Sequence, residues 1–174
     1  MAKTYTLAGT VSAGDVATAA AFNVVTADIN NLIVAPTCQV RRTTNLTGYS
    51  SGSDITWESE GFDTDDMYTS GTSITINTAG IYLVTFTGGY GASATLTRVF
   101  NSIHKSGTSI AEQECLGVAT GGGFCSSVIT NCAAAATLTA RVTFTGGSAY
   151  LIAGSASENA NQTRLTAKWI GLTA

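Results

Sequence analysis

The sequence predicts an all-β sandwich or jelly roll preceded by a short helical segment. Three observations lead there. Ala136, Leu138, Ala140, Val142 and Phe144 alternate with Thr137, Thr139, Arg141, Thr143 and Thr145. That period of two marks a strand with one buried face. Further short β-rich runs recur between 37 and 174, separated by Gly-containing turns, the spacing of a sandwich rather than of alternating strands and helices. Charge is also sparse. Asp, Glu, Lys and Arg make up 11% of the 174 residues, against about 25% in a typical domain. Thr, Ser, Asn and Gln supply the polarity instead, and β-branched Thr favours strands.

From the N-terminus, residues 14–33 carry an Ala-rich stretch that Asp15 or Thr18 can cap, which predicts a helix. Phe22, Val25, Ile29 and Leu32 are spaced three, four and three apart. This is a seam suited either to contact between copies or to packing on the chain's own domain. Two heptads are too short to associate alone. Pro36 ends the helix. Residues 1–35 are therefore an attachment segment and 36–174 a head domain. In the head, Ile74 and Ile76 alternate with polar neighbours. Ile81 to Phe86 is a dense β run entered through Gly80. Leu96 to His104 closes in a turn at Lys105-Ser106-Gly107. Residues 149–153 and 164–172 complete the set, with the pairs Gly88-Gly89 and Gly146-Gly147 read as strand ends.

Several function classes are excluded. Hydrophobic residues make up 44%, too many for a disordered chain. Net charge is −3 and the only adjacent cations are Arg41-Arg42, so no nucleic-acid footprint is present. No apolar run reaches the roughly 18 residues needed to span a bilayer. Residues 1–6 lack an apolar signal core, which predicts synthesis in a cytoplasm without membrane insertion. Cys38, Cys115, Cys125 and Cys132 contain no C-x-x-C pair. They read as buried apolar residues, with a Cys115–Cys125 or Cys125–Cys132 bridge as the alternative.

Gly80-Ile81-Tyr82-Leu83-Val84-Thr85-Phe86 resembles the central strand of the tumour-necrosis-factor-like and complement globular-head superfamily. Thr56-Trp57 and Phe62-Asp63-Thr64 resemble its early extended segment, and Phe100 to Ile110 its next hairpin. Thr163 to Leu172 is similar to its buried last strand. The resemblance covers roughly 37–172. It implies a ten-stranded jelly roll, assembly as a homotrimer, and binding without enzymatic activity. Thr145-Gly146-Gly147-Ser148 stands where the family often has a Gly-Asp turn, so the family's metal sites are not carried over. Residues 14–23 resemble the start of small virion and minor tail proteins of phages, those of actinobacteria in particular.

Candidate chemistry is thin. Gly48-Tyr49-Ser50-Ser51-Gly52 fits G-x-S-x-G, but that motif needs a strand–turn–helix elbow, and no helix pattern follows it. His104 is the only histidine and reads as a strand residue. Gly121-Gly122-Gly123 and Gly88-Gly89-Tyr90-Gly91 lack the ending of a phosphate loop and predict turns or close chain approaches. Glu58, Glu60, Asp63, Asp65 and Asp66 gather five of the eleven acids. They predict a solvated loop, with calcium as the lesser alternative; no other cofactor is expected. Three stretches, 45–53, 119–127 and 155–162, read as loops between strands, where binding residues concentrate. Tyr49 and Phe124 are their candidate receptor contacts. The expected function is that of a virion-located phage structural protein: a trimeric tail or tail-fibre head that joins other virion proteins and binds a host-surface glycan or protein. Capsid decoration at three-fold positions is the alternative.

Overall fold

The computed structural model describes residues 23, 29, 34–92, 96–116, 121–147, 149–153 and 162–172. Of the attachment segment this leaves Asn23 and Ile29, both helical and exposed, with Val34 and Ala35. Phe22, Val25 and Leu32 lie outside the described residues, and Ile29 is 50% exposed.

Ten strands are found among the described residues: β1 (Thr37–Arg41), β2 (Ser59–Asp63), β3 (Ile74–Thr75), β4 (Gly80–Ala92), β5 (Arg98–Lys105), β6 (Thr108–Leu116), β7 (Gly122–Cys132), β8 (Thr137–Thr145), β9 (Ala149–Ile152) and β10 (Arg164–Gly171). They form two antiparallel sheets. One has six strands in the order β2-β1-β10-β4-β7, with β9 also on β4; the other has four in the order β3-β8-β5-β6. This is a jelly roll: strands near in sequence are split between facing sheets.

The alternation read in the sequence decides what faces inward. Leu138, Ala140, Val142 and Phe144 of β8 are buried, as are Val99 and Ile103 of β5. Opposite them, Cys38, Ala167 and Val84 line up across β1, β10 and β4, and Val40, Leu165 and Phe86 form the next row. Each Val, Leu, Ile or Phe among them contributes about 1.5–3 kcal/mol on burial. Trp57, Phe86 and Phe124 continue the core as a chain of rings, with centroids 6.5 and 4.9 Å apart.

One polar tie crosses this core. Asn101 of β5 is fully buried. Its Oδ1 accepts from the Ser126 hydroxyl of β7, and its Nδ2 donates to Gln113 O at 3.2 Å. A buried amide needs such partners, and the Ser126 bond ties the two sheets together.

Two expectations need correction. Gly88-Gly89 is not a strand end, because β4 runs on to Ala92. The pair marks where β4 changes partner: Thr87 pairs Arg164 of β10, and Gly89 pairs Ile152 of β9. A Cβ on Gly88 would stand 2.7 Å from Thr163 Oγ1 and 2.8 Å from Phe124 Cζ, so no larger residue fits. Residues 122–127 are not a loop but the first half of β7. The turn after β5 is as expected. Lys105 pairs Thr108 across Ser106-Gly107, whose φ values are 47° and 84°, the two-residue turn that matches strand twist.

Candidate functional site

The structure separates the two aromatic candidates. Phe124 is 6% exposed and packs on Phe86, so it is a core residue of β7 and no loop-tip anchor. Tyr49 does line a cleft, at the end of the sandwich where β8 finishes and β9 begins. The cleft encloses about 380 Å³ between Thr47, Tyr49, Ser51, Phe144, Ala149, Tyr150 and two glycines. None of these residues is charged. The sequence did not single out Phe144 and Tyr150 as site residues. Both sit in strands, and only the chain path brings them beside residue 49.

Each ring is held in place. Tyr49 donates its hydroxyl hydrogen bond to Ser53 O and accepts one from Val142 N at 3.1 Å. Its ring meets Phe144 edge-on at 6.1 Å. Burial pushes its phenol above the usual value, and this outweighs the Val142 hydrogen bond, which acts the other way. Phe144 is backed by Tyr90, at 5.8 Å. Tyr150 lies over Gly91, where a Cβ would approach its Cζ to 2.3 Å; the bare glycine lets the ring lie against the backbone of β4. Ser51, the residue after the motif serine Ser50, is tied to β8. Its hydroxyl accepts from Phe144 N at 2.8 Å and lies 3.3 Å from Phe144 O.

The loop carrying Tyr49 is fastened behind the cleft. Arg42, 5% exposed, donates to Thr56 O at 2.7 Å and pairs with Glu58 at 2.7 Å. Glu58 also accepts from the backbone N–H groups of Thr43 and Thr44, at 2.7 and 2.8 Å, and from both threonine hydroxyls. Burial opposes ionisation, yet these donors lower the Glu58 carboxyl to about 2. The acidic stretch is thus divided among separate tasks. Glu58 serves this knot, and Asp63 accepts from Asp65 N at 3.1 Å and Tyr68 N at 2.8 Å. Among the described residues no three His, Cys, Asp or Glu side chains gather as metal ligands.

Other polar groups are likewise committed. His104 Nε2 lies 3.0 Å from Ser102 Oγ, but its Nδ1 faces Gly107 O at 3.5 Å rather than a carboxylate. Asp54 accepts from Arg141 Nε at 2.6 Å and Thr139 Oγ1 at 3.0 Å. Burial works against its charge, but these donors keep its carboxyl below the usual value. A second cleft of about 460 Å³ lies at the opposite end, beside Lys105, Asn131 and Cys132. There the Lys105 ammonium is spent on Thr130 Oγ1 and Asn131 O, at 3.2 and 2.9 Å. Cys38, Cys115, Cys125 and Cys132 are all free thiols, and burial pushes those of Cys38 and Cys132 up.

No family model and no curated protein matches the chain. Among solved structures it is similar to the crystal structure of murine APRIL at pH 8.5, with a TM-score of 0.57 and 10% identity over 78% of this chain and 98% of that chain. The likeness is one of fold, the jelly roll of the tumour-necrosis-factor family. At this identity it says nothing of function.

Proposed function

We propose that the chain is a bacteriophage virion protein, a trimeric tail or tail-fibre head that binds the host surface through the cleft at Tyr49 and Tyr150. The observation that carries the binding role is that cleft: concave, uncharged, walled by rings held by the sandwich, and placed among loops. Rigid scaffolds present binding groups in this way. The virion setting rests on the resemblance of residues 14–23. Binding without catalysis is favoured by His104, whose Nδ1 faces Gly107 O at 3.5 Å rather than a carboxylate.

Assembly as a homotrimer is supported by the outward face of the six-stranded sheet. There Leu83 of β4 stands beside Ile129 of β7 in register. Ile129 is 64% exposed, Ile170 46% and Phe62 44%. Large apolar side chains gathered on one sheet face favour a contact surface, and closed rings of copies are the usual way to cover one.

The test is competition. Excess purified protein should slow adsorption of the parent particle to its host, and Tyr150→Ala should weaken the effect. If folded protein at saturation neither binds host cells nor slows adsorption, attachment is wrong and capsid decoration takes its place.

A further inference from the structure

We infer that the cleft between Tyr49 and Tyr150 is a binding site for a neutral pyranose sugar; the biological setting rests on the attachment role proposed above, the chemistry on the cleft alone. Charge decides the first point. Among the described residues no lining side chain is acidic or basic. A charged ligand would enter a partly desolvated site with nothing to pair it, which is costly.

The second point is the absence of an open strand edge. A peptide bound as an added strand needs a row of unpaired backbone groups. Here β9 pairs β4 along one edge, and on the other Leu46 N donates to Leu151 O at 2.9 Å. The nearby edge of β8 is occupied by Gly52 N on Val142 O, at 2.9 Å, and by the Ser51 hydroxyl on Phe144 N. What remains for a ligand is ring faces and hydroxyls.

Those remaining groups match a sugar. A pyranose has a C–H face that lies on an aromatic ring and a rim of hydroxyls. Aromatic faces carry negative charge that suits such a C–H surface. The rings of Tyr49 and Tyr150 are already positioned, so little ordering is lost on binding. Thr47 is exposed, and the Tyr150 hydroxyl makes no hydrogen bond among the described residues. Each can both donate and accept. The volume, about 380 Å³, lies at the small end of ligand clefts, roughly 300–1,000 Å³, and fits one or two rings.

The experiment is a titration of the full chain with free glucose, galactose, mannose, rhamnose and N-acetylglucosamine, read by NMR at the tyrosine rings, with glucuronate and sialate as anionic arms. At least one neutral sugar should bind in the millimolar range, with an affinity that does not change with salt. Tyr150→Ala should weaken it about tenfold or more. Thr47→Trp, on an exposed loop position that leaves the core untouched, should block the cleft to the same degree. The inference is overturned if no neutral sugar binds, if an anionic sugar binds more tightly or salt weakens binding, or if both folded variants bind as the parent does. Sugar binding without adsorption competition would keep the site and remove the attachment role. Competition without sugar binding would do the reverse.

Discussion

The two sheets turn different surfaces outward. On the four-stranded sheet both outward arginines have partners: Arg141 pairs Asp54 at 2.6 Å and Arg98 pairs Glu114 at 3.3 Å. Ser102 and His104 hydrogen-bond to each other there. Leu116, 81% exposed at the end of β6, and Glu112, which has no ion pair among the described residues, depart from this pattern. On the six-stranded sheet Arg41 and Arg164 stand directly opposite each other in register, and neither has an ion pair among the described residues. Like charges so placed repel. Beside them run Thr87 and Cys125, then the aliphatic pair Leu83 and Ile129. One face pairs both of its outward arginines, while the other leaves two of its own without an ion pair among the described residues. The same alternation rule builds both, so the difference lies in which residues fill the outward positions.

The largest test of this contrast is Ile129→Lys. At an exposed position it should change the stability of the single chain little, yet reduce the mass of the proposed trimer from three times 17.7 kDa to one. Thr143→Lys, on the other sheet, should leave the mass unchanged. Light scattering reads both, and a trimer that survives Ile129→Lys removes the six-stranded face as the interface. Next comes the tie between the sheets. Asn101→Ala leaves Ser126 and Gln113 O without their partner and should cost about 2–3 kcal/mol in denaturant unfolding. A smaller effect is expected at Glu58. Its folded carboxyl is held at about 2, below its unfolded value. The stability it contributes is therefore present above the unfolded carboxylate range and is lost as pH falls toward 2. Glu58→Gln should flatten that part of the acid-unfolding curve, and an unchanged curve would mean the knot contributes nothing. The smallest is Asp54→Asn. This pair is about one-third exposed on each side, so its loss should cost under about 1 kcal/mol.

Much of the fold was legible. β8 could be read residue by residue because its inward positions are all apolar. β7 could not, since two of its first residues are Gly and its inward Ser126 is polar. That serine faces inward to meet Asn101, a partner 25 positions away that no local pattern announces. Phe124 was misread for the same reason, as an aromatic among glycines and serines looks like a loop tip. Tyr49, read as a loop-tip residue, lines a cleft, and its bond to Val142 N spans 93 positions. Consequently Tyr49→Ala would test packing as much as binding, and Tyr150 is the cleaner probe. Tyr150 itself carried no signal, because its setting depends on Gly91 across the β4–β9 pair.

The Ser106-Gly107 turn has a practical consequence. Arg98 pairs Thr145 near the cleft and Lys105 pairs Leu138 at the far end of the same strands, so the turn lies about 25 Å from the cleft by strand rise. A Cβ on Gly107 would meet nothing within 4 Å, and exposed tips of this kind accept inserted sequence. A fluorescent tag or short epitope spliced there would ride on the pole opposite the cleft. The protein could then be tracked or immobilised in a fixed orientation with the cleft presented outward.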